Sequence, residues 1–217
     1  MKLTWSPETA SKAYIETVTS CKKLHKESGV AELVSAMAAG WNARLVVETW
    51  SSGGATATSI GLAVASHHTG GRHVCIVPDQ KSKSEYMGAL GETGENVEVV
   101  VGEPEEVVEV LTGIDFMVVD CRSKDFEKIL RSAKLGSRGA VLVCKNASSR
   151  MSLNFRWRSV LDAGSRRLAR SAFLPVGRGL DIAYVASISG SSSTGKGKSR
   201  WIKHVDRQSG EEIVIRK

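Results

Sequence analysis

The sequence predicts a doubly wound α/β domain, a mostly parallel sheet covered by helices on both faces. Short, near-continuous apolar runs recur along the chain (LVV, HVCIV, VEVVV, FMVV, AVLVC), as strands buried on both faces require. Helical patterns alternate with them, which builds successive βαβ units. The segment FLPVGRGLDIAYVAS departs from this rhythm: two strands joined by a Pro/Gly turn make an antiparallel hairpin at the sheet edge. The expectation is a seven-stranded sheet with strands at 43–49, 72–78, 97–102, 115–120, 139–145, 171–175 and 180–188.

The elements follow in order. Ser6-Pro7-Glu8 opens a helix with an N-cap, a proline in the first turn and an acid near the positive end. Ala10, Ala13, Tyr14, Thr17, Val18 and Cys21 then share one helical face. A second helix follows Gly29, with Val30, Leu33, Val34 and Met37 as its buried stripe, and Gly40 ends it. Further helices are expected at 56–67, 82–90, 104–111, 124–134 and 151–165, the first opened by Thr56. The main domain then spans 1–189, with 1–40 as a helical lead-in. GSSSTGKGKSR at 190–200 reads as a flexible linker, and 201–217 as a terminal β-hairpin of WIKHVD and EEIVIRK.

Composition bounds the function. The chain has 217 residues, 41% hydrophobic and 24% charged, so it is globular and large enough for a real core. It has no apolar run long enough to span a bilayer, so no membrane partner is expected. The N-terminus lacks an apolar signal core, and the four cysteines have no CxxC spacing. Reduced thiols in a cytoplasmic protein follow as the expectation, with nuclear entry left open. Charge is uneven: residues 1–121 carry 9 basic against 16 acidic side chains, and residues 122–217 carry 21 against 7. The basic half can attract nucleic acid or an acidic partner, or it can be a solvated face. Oligomeric state is not legible.

The stretch LVVETWSSGGATATSIGLAVA, residues 45–65, is an apolar strand, a loop of small residues and a helix. That is where doubly wound folds hold a nucleotide-like cofactor. Together with FMVVDCRSKDF, VLVCKN and LPVGRGLDIAYV, it resembles the class I methyltransferase fold of the small caffeoyl-CoA-type O-methyltransferases. The chain resembles more closely, from WSPETASKAY and SGVAELVSAMAAGWNA onward, a plant-specific family of methyltransferase-like proteins of unknown function.

The resemblance implies S-adenosylmethionine as cofactor and places its candidate residues. The family loop E-x-G-x-x-x-G reads here Glu48-Thr49-Trp50-Ser51-Ser52-Gly53-Gly54, with Trp50 replacing the first glycine. Glycine there permits φ > 0 and close backbone approach, which Trp50 resists. The indole either fills the pocket or caps the strand end as a core aromatic. The ribose-binding acid of the second strand is replaced by Val77; Asp79 can reach in from two positions on, or cap the next helix. Asp120 matches a cofactor-site aspartate that is a metal ligand in the cation-dependent enzymes. Asn146 matches another ligand, and Lys145 replaces the aspartate between them. Asp120 and Asn146 alone make a degenerate site, so no metal is expected. Lys145 is expected to pair with Asp120 where the metal would sit, or else to lie exposed beyond the strand. It is the one candidate catalytic base, provided burial lowers its pKa. Arg178 stands where the family often has aspartate.

Other signals weigh less. Gly190 to Gly197 nearly spells a phosphate loop but lacks its hydroxyl residue and its helix. His67 and His68 fit a helix end and His73 a strand start, rather than a metal cluster. Trp157 falls on one stripe with Leu153, Val160, Leu161 and Gly164, so it reads as core rather than as a base-stacking platform between Arg156 and Arg158. Three functions follow: a methyltransferase-fold protein that binds a small-molecule ligand or partner without metal-dependent catalysis, an active S-adenosylmethionine-dependent methyltransferase on a small molecule, or a basic nucleic-acid-associated protein.

Overall fold

The computed structural model describes residues 5–22, 29–148, 155–161, 166–186, 201–205 and 212–216. Helices α1 (Pro7–Ser20) and α2 (Val30–Gly40) precede strand β1 (Leu45–Thr49). Then come α3 (Ala57–Thr69), β2 (Arg72–Val77), α4 (Gln80–Leu90), a 3-10 turn (Gly91–Asn96), β3 (Val97–Val101) and α5 (Pro104–Val110). The short strand β4 (Thr112–Ile114) leads into β5 (Phe116–Asp120), α6 (Phe126–Ser132), the two-residue β6 (Lys134–Leu135) and β7 (Ala140–Lys145). Helix α7 (Trp157–Leu161) and strands β8 (Leu168–Leu174) and β9 (Leu180–Val185) complete the main sheet.

Its seven strands run in the order β3-β2-β1-β5-β7-β9-β8. All neighbours pair parallel until β9, which runs antiparallel to both β7 and β8. The predicted fold class is therefore the observed one. The chain winds outward from β1 to β3, returns, and winds the other way from β5. The switch point lies between β1 and β5, where open α/β sheets leave a crevice at the carboxyl ends of their strands.

Side-chain alternation sends the core to both faces of the sheet, in three clusters, the third built around Trp50, Cys75, Val77 and Tyr86. Leu45, Val47, Met117, Val119, Leu142 and Cys144 face α5–α7, where Phe126, Ile129, Trp157 and Leu161 cover them. Val46, Phe116, Val118, Val141 and Val143 face α1–α3. By the same period of two, Glu48, Asp120 and Lys145 end their strands on the α1–α3 side. Cys75, Cys121 and Cys144 are buried, and all four cysteines are free thiols.

Several expectations change in detail. Helix α1 starts as predicted, with the Ser6 side chain accepting from the Thr9 N–H. It buries only Ala10, Ala13 and Thr17, while Tyr14 and Val18 are exposed. Its contact runs along that narrow small-residue stripe, where the Thr17 hydroxyl donates to Ser35 at 2.8 Å, so the longer side chains stay at the rim. Leu33 is only partly buried on α2. Strand β8 begins three residues earlier than expected, because pairing with β9 extends to Leu168 on an exposed edge with no apolar run to mark it. The parallel pair β4–β6 was not expected. Of the helix expected at 151–165, the described part is Trp157–Leu161; residues 149–154 and 162–165 lie outside the described residues. So does the predicted linker at 190–200 with its near phosphate loop. Strands β10 (Trp201–Val205) and β11 (Glu212–Arg216) pair antiparallel.

Candidate functional site

A cleft of about 620 Å³ opens at the switch point, over the ends of β1, β5 and β7 and between α5 and α6. Thr49, Trp50, Ser51 and Gly54 line it from the first loop, and Pro78 and Glu103 from the ends of β2 and β3. Asp120 and Lys145 close its floor. Helix α5 adds Glu105, Glu106 and Glu109, and Asp125 and Lys128 lie across from them. Six carboxylates thus face two ammonium groups around one cavity, a lining that favours a cationic ligand.

Glu48 is not part of that lining. Its side chain is fully buried and already has three partners. The Tyr86 hydroxyl donates to Oε1 at 2.7 Å, His73 Nε2 lies 3.1 Å from the same oxygen, and the Ser59 hydroxyl donates to Oε2 at 3.0 Å. Burial favours the protonated form. The His73 bond and ring, the Lys145 charge and the Tyr86 hydroxyl outweigh it and hold the carboxyl below the usual carboxylate range. Burial pushes the Tyr86 hydroxyl up, so it stays a donor. An ionised carboxylate only accepts, so His73 carries its proton on Nε2 in this bond, and Nδ1 is left buried with no partner among the described residues.

Trp50 separates this cluster from the cleft. Its backbone N–H donates to the Ile76 carbonyl at 2.9 Å, continuing the β1–β2 pairing by one residue. Its φ is not positive, so the strain a glycine would avoid does not arise. The indole is 4% exposed and packs edge-on against Tyr86, with centroids 5.3 Å apart. Both sequence alternatives hold in part: Trp50 is a core aromatic and also a wall of the cavity. Gly54 is needed for the indole's sake, since a Cβ there would lie 2.8 Å from Trp50 Nε1 and 2.8 Å from the Ser51 carbonyl. Gly53 takes the positive φ of the turn, +74°. Helix α4 fastens the loop from outside: Glu85 accepts from the Ser52 hydroxyl at 2.6 Å and from the Gly53 N–H at 3.1 Å. Those two bonds hold the Glu85 carboxyl below its ordinary pKa.

Asp79 is the N-cap of α4, accepting from the Ser82 N–H at 2.7 Å, and Val77 is buried. Asp120 and Lys145 are register partners on β5 and β7. The expected ion pair between them is not formed. Asp120 instead takes the Arg122 guanidinium, with Nη2 at 2.7 Å and Nε at 3.1 and 3.2 Å, and accepts the Arg122 N–H at 2.9 Å. Arg122 folds back over its own turn and presents a planar fork, which suits a carboxylate better than a point charge does. Asn146, turned by a φ of +59°, donates Nδ2 to Asp120 at 2.9 Å. Burial raises the Asp120 pKa, but these bonds and the Lys145 charge leave it below the carboxylate norm. Lys145 is neither paired with Asp120 nor exposed. It is 6% exposed and makes no ion pair within 4.0 Å among the described residues.

This donor set does not suit a divalent cation. Asp120 is committed to Arg122 and Asn146, and Lys145 places a positive charge on the same floor. Among the described residues, no group of three or more His, Cys, Asp or Glu is placed to hold a metal. His68 pairs with Glu16 at 2.7 Å, whereas His73 lies on Glu48 at 3.1 Å. Trp157 is buried and donates Nε1 to Asp181 at 2.7 Å. Arg166 serves α6, donating to the carbonyls of Leu130, Arg131 and Ala133. No described helix is long and apolar enough to cross a membrane.

The sheet order, the switch-point cleft and the acid-bearing first strand define a methyltransferase-like architecture, and solved structures share it. A methyltransferase from Geobacter sulfurreducens superposes with a TM-score of 0.60 at 23% identity, over 81% of this chain and 89% of that one. A methyltransferase from Podospora anserina bound to S-adenosylhomocysteine gives 0.56 at 12% identity, over 84% and 89%. A putative caffeoyl-CoA O-methyltransferase from Staphylococcus aureus gives 0.53 at 14% identity, over 78% and 91%. Among curated proteins, none matches the chain. Over residues 1–217 the chain belongs to the family described as "Protein of unknown function (DUF1442)".

Proposed function

We propose that this protein is a methyltransferase-like binding domain whose cleft takes a cationic nucleoside of the S-adenosylmethionine class, metal-dependent methyl transfer having been lost. One observation carries the proposal: the switch-point cleft is lined by six carboxylates, and Glu48 is not among them. The acid that the resemblance assigns to the cofactor is sealed behind Trp50 and saturated by Ser59, His73 and Tyr86. Ligand contact falls to Trp50, whose ring wall suits a flat base, and to Glu103, whose charge suits a sulfonium or ammonium. When bound, such a cofactor supplies an electrophilic methyl group. On the protein side, Asp120 is held ionised by Arg122 and Asn146, and Lys145 occupies the floor where a metal-assisted acceptor would be activated.

Thermal unfolding in EDTA tests this. A ligand at 100 times its dissociation constant adds about 2.7 kcal/mol, which for a chain of this size raises Tm by about 5–10 °C. A shift with S-adenosylmethionine and no methyl transfer to small-molecule acceptors supports the reading; no shift at millimolar ligand overturns it.

Asp120 and Gly54, retained in the cleft lining, favour a second reading, an active metal-independent O-methyltransferase on a small molecule. Turnover in EDTA would establish that one. The proposal keeps a cytoplasmic setting, supported by four free thiols, and the plant lineage of the family resemblance. A nucleic-acid or acidic partner for the basic half is carried as a further proposal, resting on charge alone; binding that does not weaken with salt would remove it.

A further inference from the structure

Lys145 faces two cavities. It forms part of the cleft floor, and it also lines a small adjoining pocket with Asn146, Val176, Arg178, Gly179 and Leu180. The pocket is about 10 Å³, room for a single oxygen atom. Its charged lining is entirely positive, Lys145 from the end of β7 and Arg178 from the β8–β9 turn. The nearby carboxylates act on Lys145 only through space, their hydrogen bonds going elsewhere: Glu48 accepts from Tyr86, His73 and Ser59, and Asp120 from Arg122 and Asn146.

A lysine 94% removed from solvent, with no ion pair within 4.0 Å among the described residues, is costly unless something else partners it. Lys145 and Arg178, the two charged residues that line this oxygen-sized space, are both basic. Both cations occupy positions where the resemblance leads one to expect aspartate. Two charge reversals on one pocket turn a site suited to a cation into one suited to an anion.

We propose that Lys145 and Arg178 form an anion subsite that anchors a carboxylate oxygen of a second small molecule lying in the cleft beside the nucleoside. The inference rests on reading the cleft as a ligand site, and it makes that site's second ligand an organic acid. The two cations do electrostatically what a divalent metal would do for an acceptor oxygen, without a metal. Trp50, Pro78, Pro104 and Ile129 offer the body of such a ligand apolar surface in the same cleft.

The test uses benzoate against its neutral isostere benzamide, by titration calorimetry on the full chain, alone and saturated with S-adenosylmethionine. Benzoate is expected to bind at least tenfold more tightly than benzamide. That preference is expected to fall at least tenfold in Lys145→Met and in Arg178→Gln, the latter an exposed position that keeps the test valid should Lys145→Met fail to fold. Equal binding of benzoate and benzamide, or a preference unchanged in Arg178→Gln, overturns the subsite. Competition between benzoate and S-adenosylmethionine also overturns it, because the subsite would then hold the nucleoside's own carboxylate. If the wild-type chain binds benzoate selectively but no S-adenosylmethionine, the subsite stands and the nucleoside reading fails.

Discussion

Tyr86, halfway along α4, donates its hydroxyl to Glu48 at the end of β1 over 2.7 Å, and both side chains are fully buried. That bond joins β1 to a helix three elements later. It turns the acid of the loop motif from a ligand contact into a structural one.

Glu48→Ala leaves Tyr86, His73 and Ser59 without their shared acceptor. We expect a loss of about 3–5 kcal/mol, with Glu48→Gln losing less because it still accepts. The folded Glu48 pKa lies below its unfolded value, so its ionised form stabilises the fold above the unfolded pKa. That contribution is lost as pH falls through the folded pKa. Denaturant unfolding from pH 7 downward should show the acid loss flattened in Glu48→Gln; an unchanged acid limb would place the titration elsewhere.

Trp50 and Gly54 should be energetically coupled. Trp50→Ala is expected to lose about 3–5 kcal/mol as a buried aromatic truncation, and Trp50→Phe less, since the indole Nε1 has no partner to lose among the described residues. Gly54→Ala is expected to lose about 1–3 kcal/mol by overpacking. In the double variant Trp50→Ala with Gly54→Ala, the clash with the indole disappears while the one with the Ser51 carbonyl remains. The two losses should therefore add to less than their sum in a double-mutant cycle. Strict additivity would contradict the packing described.

Glu85 holds the loop by its two bonds to Ser52 and Gly53. Glu85→Ala should speed hydrogen exchange at the Gly53 amide while leaving exchange in the β1 core unchanged. Equal protection in both proteins would show that the loop closes without α4.

The acidic lining predicts a charge preference. S-adenosylmethionine, with its sulfonium, should bind several-fold more tightly than S-adenosylhomocysteine at low salt, and the gap should narrow toward 1 M salt as screening shortens. Glu103→Gln should reduce the preference. A preference that ignores salt would mean that the carboxylates of α5 do not act on the ligand.

The sheet was readable because buried parallel strands announce themselves as apolar runs, and the hairpin because Pro175 and Gly177 punctuate it. Asp79 was readable as a cap because Ser82 lies three residues on, within reach of its side chain. Glu48 was readable as important but not as buried. Its partners come from α3, β2 and α4, and no local pattern shows that Ser59, His73 and Tyr86 meet there. Arg122 shows the opposite failure. It lies two residues from Asp120, yet the metal motif of the family resemblance points to Lys145 as the partner. The acidic run EPEEVVEV after the third strand was a usable signal for the cleft lining, since it opens a helix at the carboxyl edge of the sheet.

The most direct test is calorimetric titration of the wild-type chain with S-adenosylmethionine in EDTA, repeated with Glu103→Gln. The account predicts saturable one-to-one binding without metal, weakened at least tenfold in the variant. No heat and no saturation at millimolar ligand, or binding that appears only when a divalent cation is added, would contradict it.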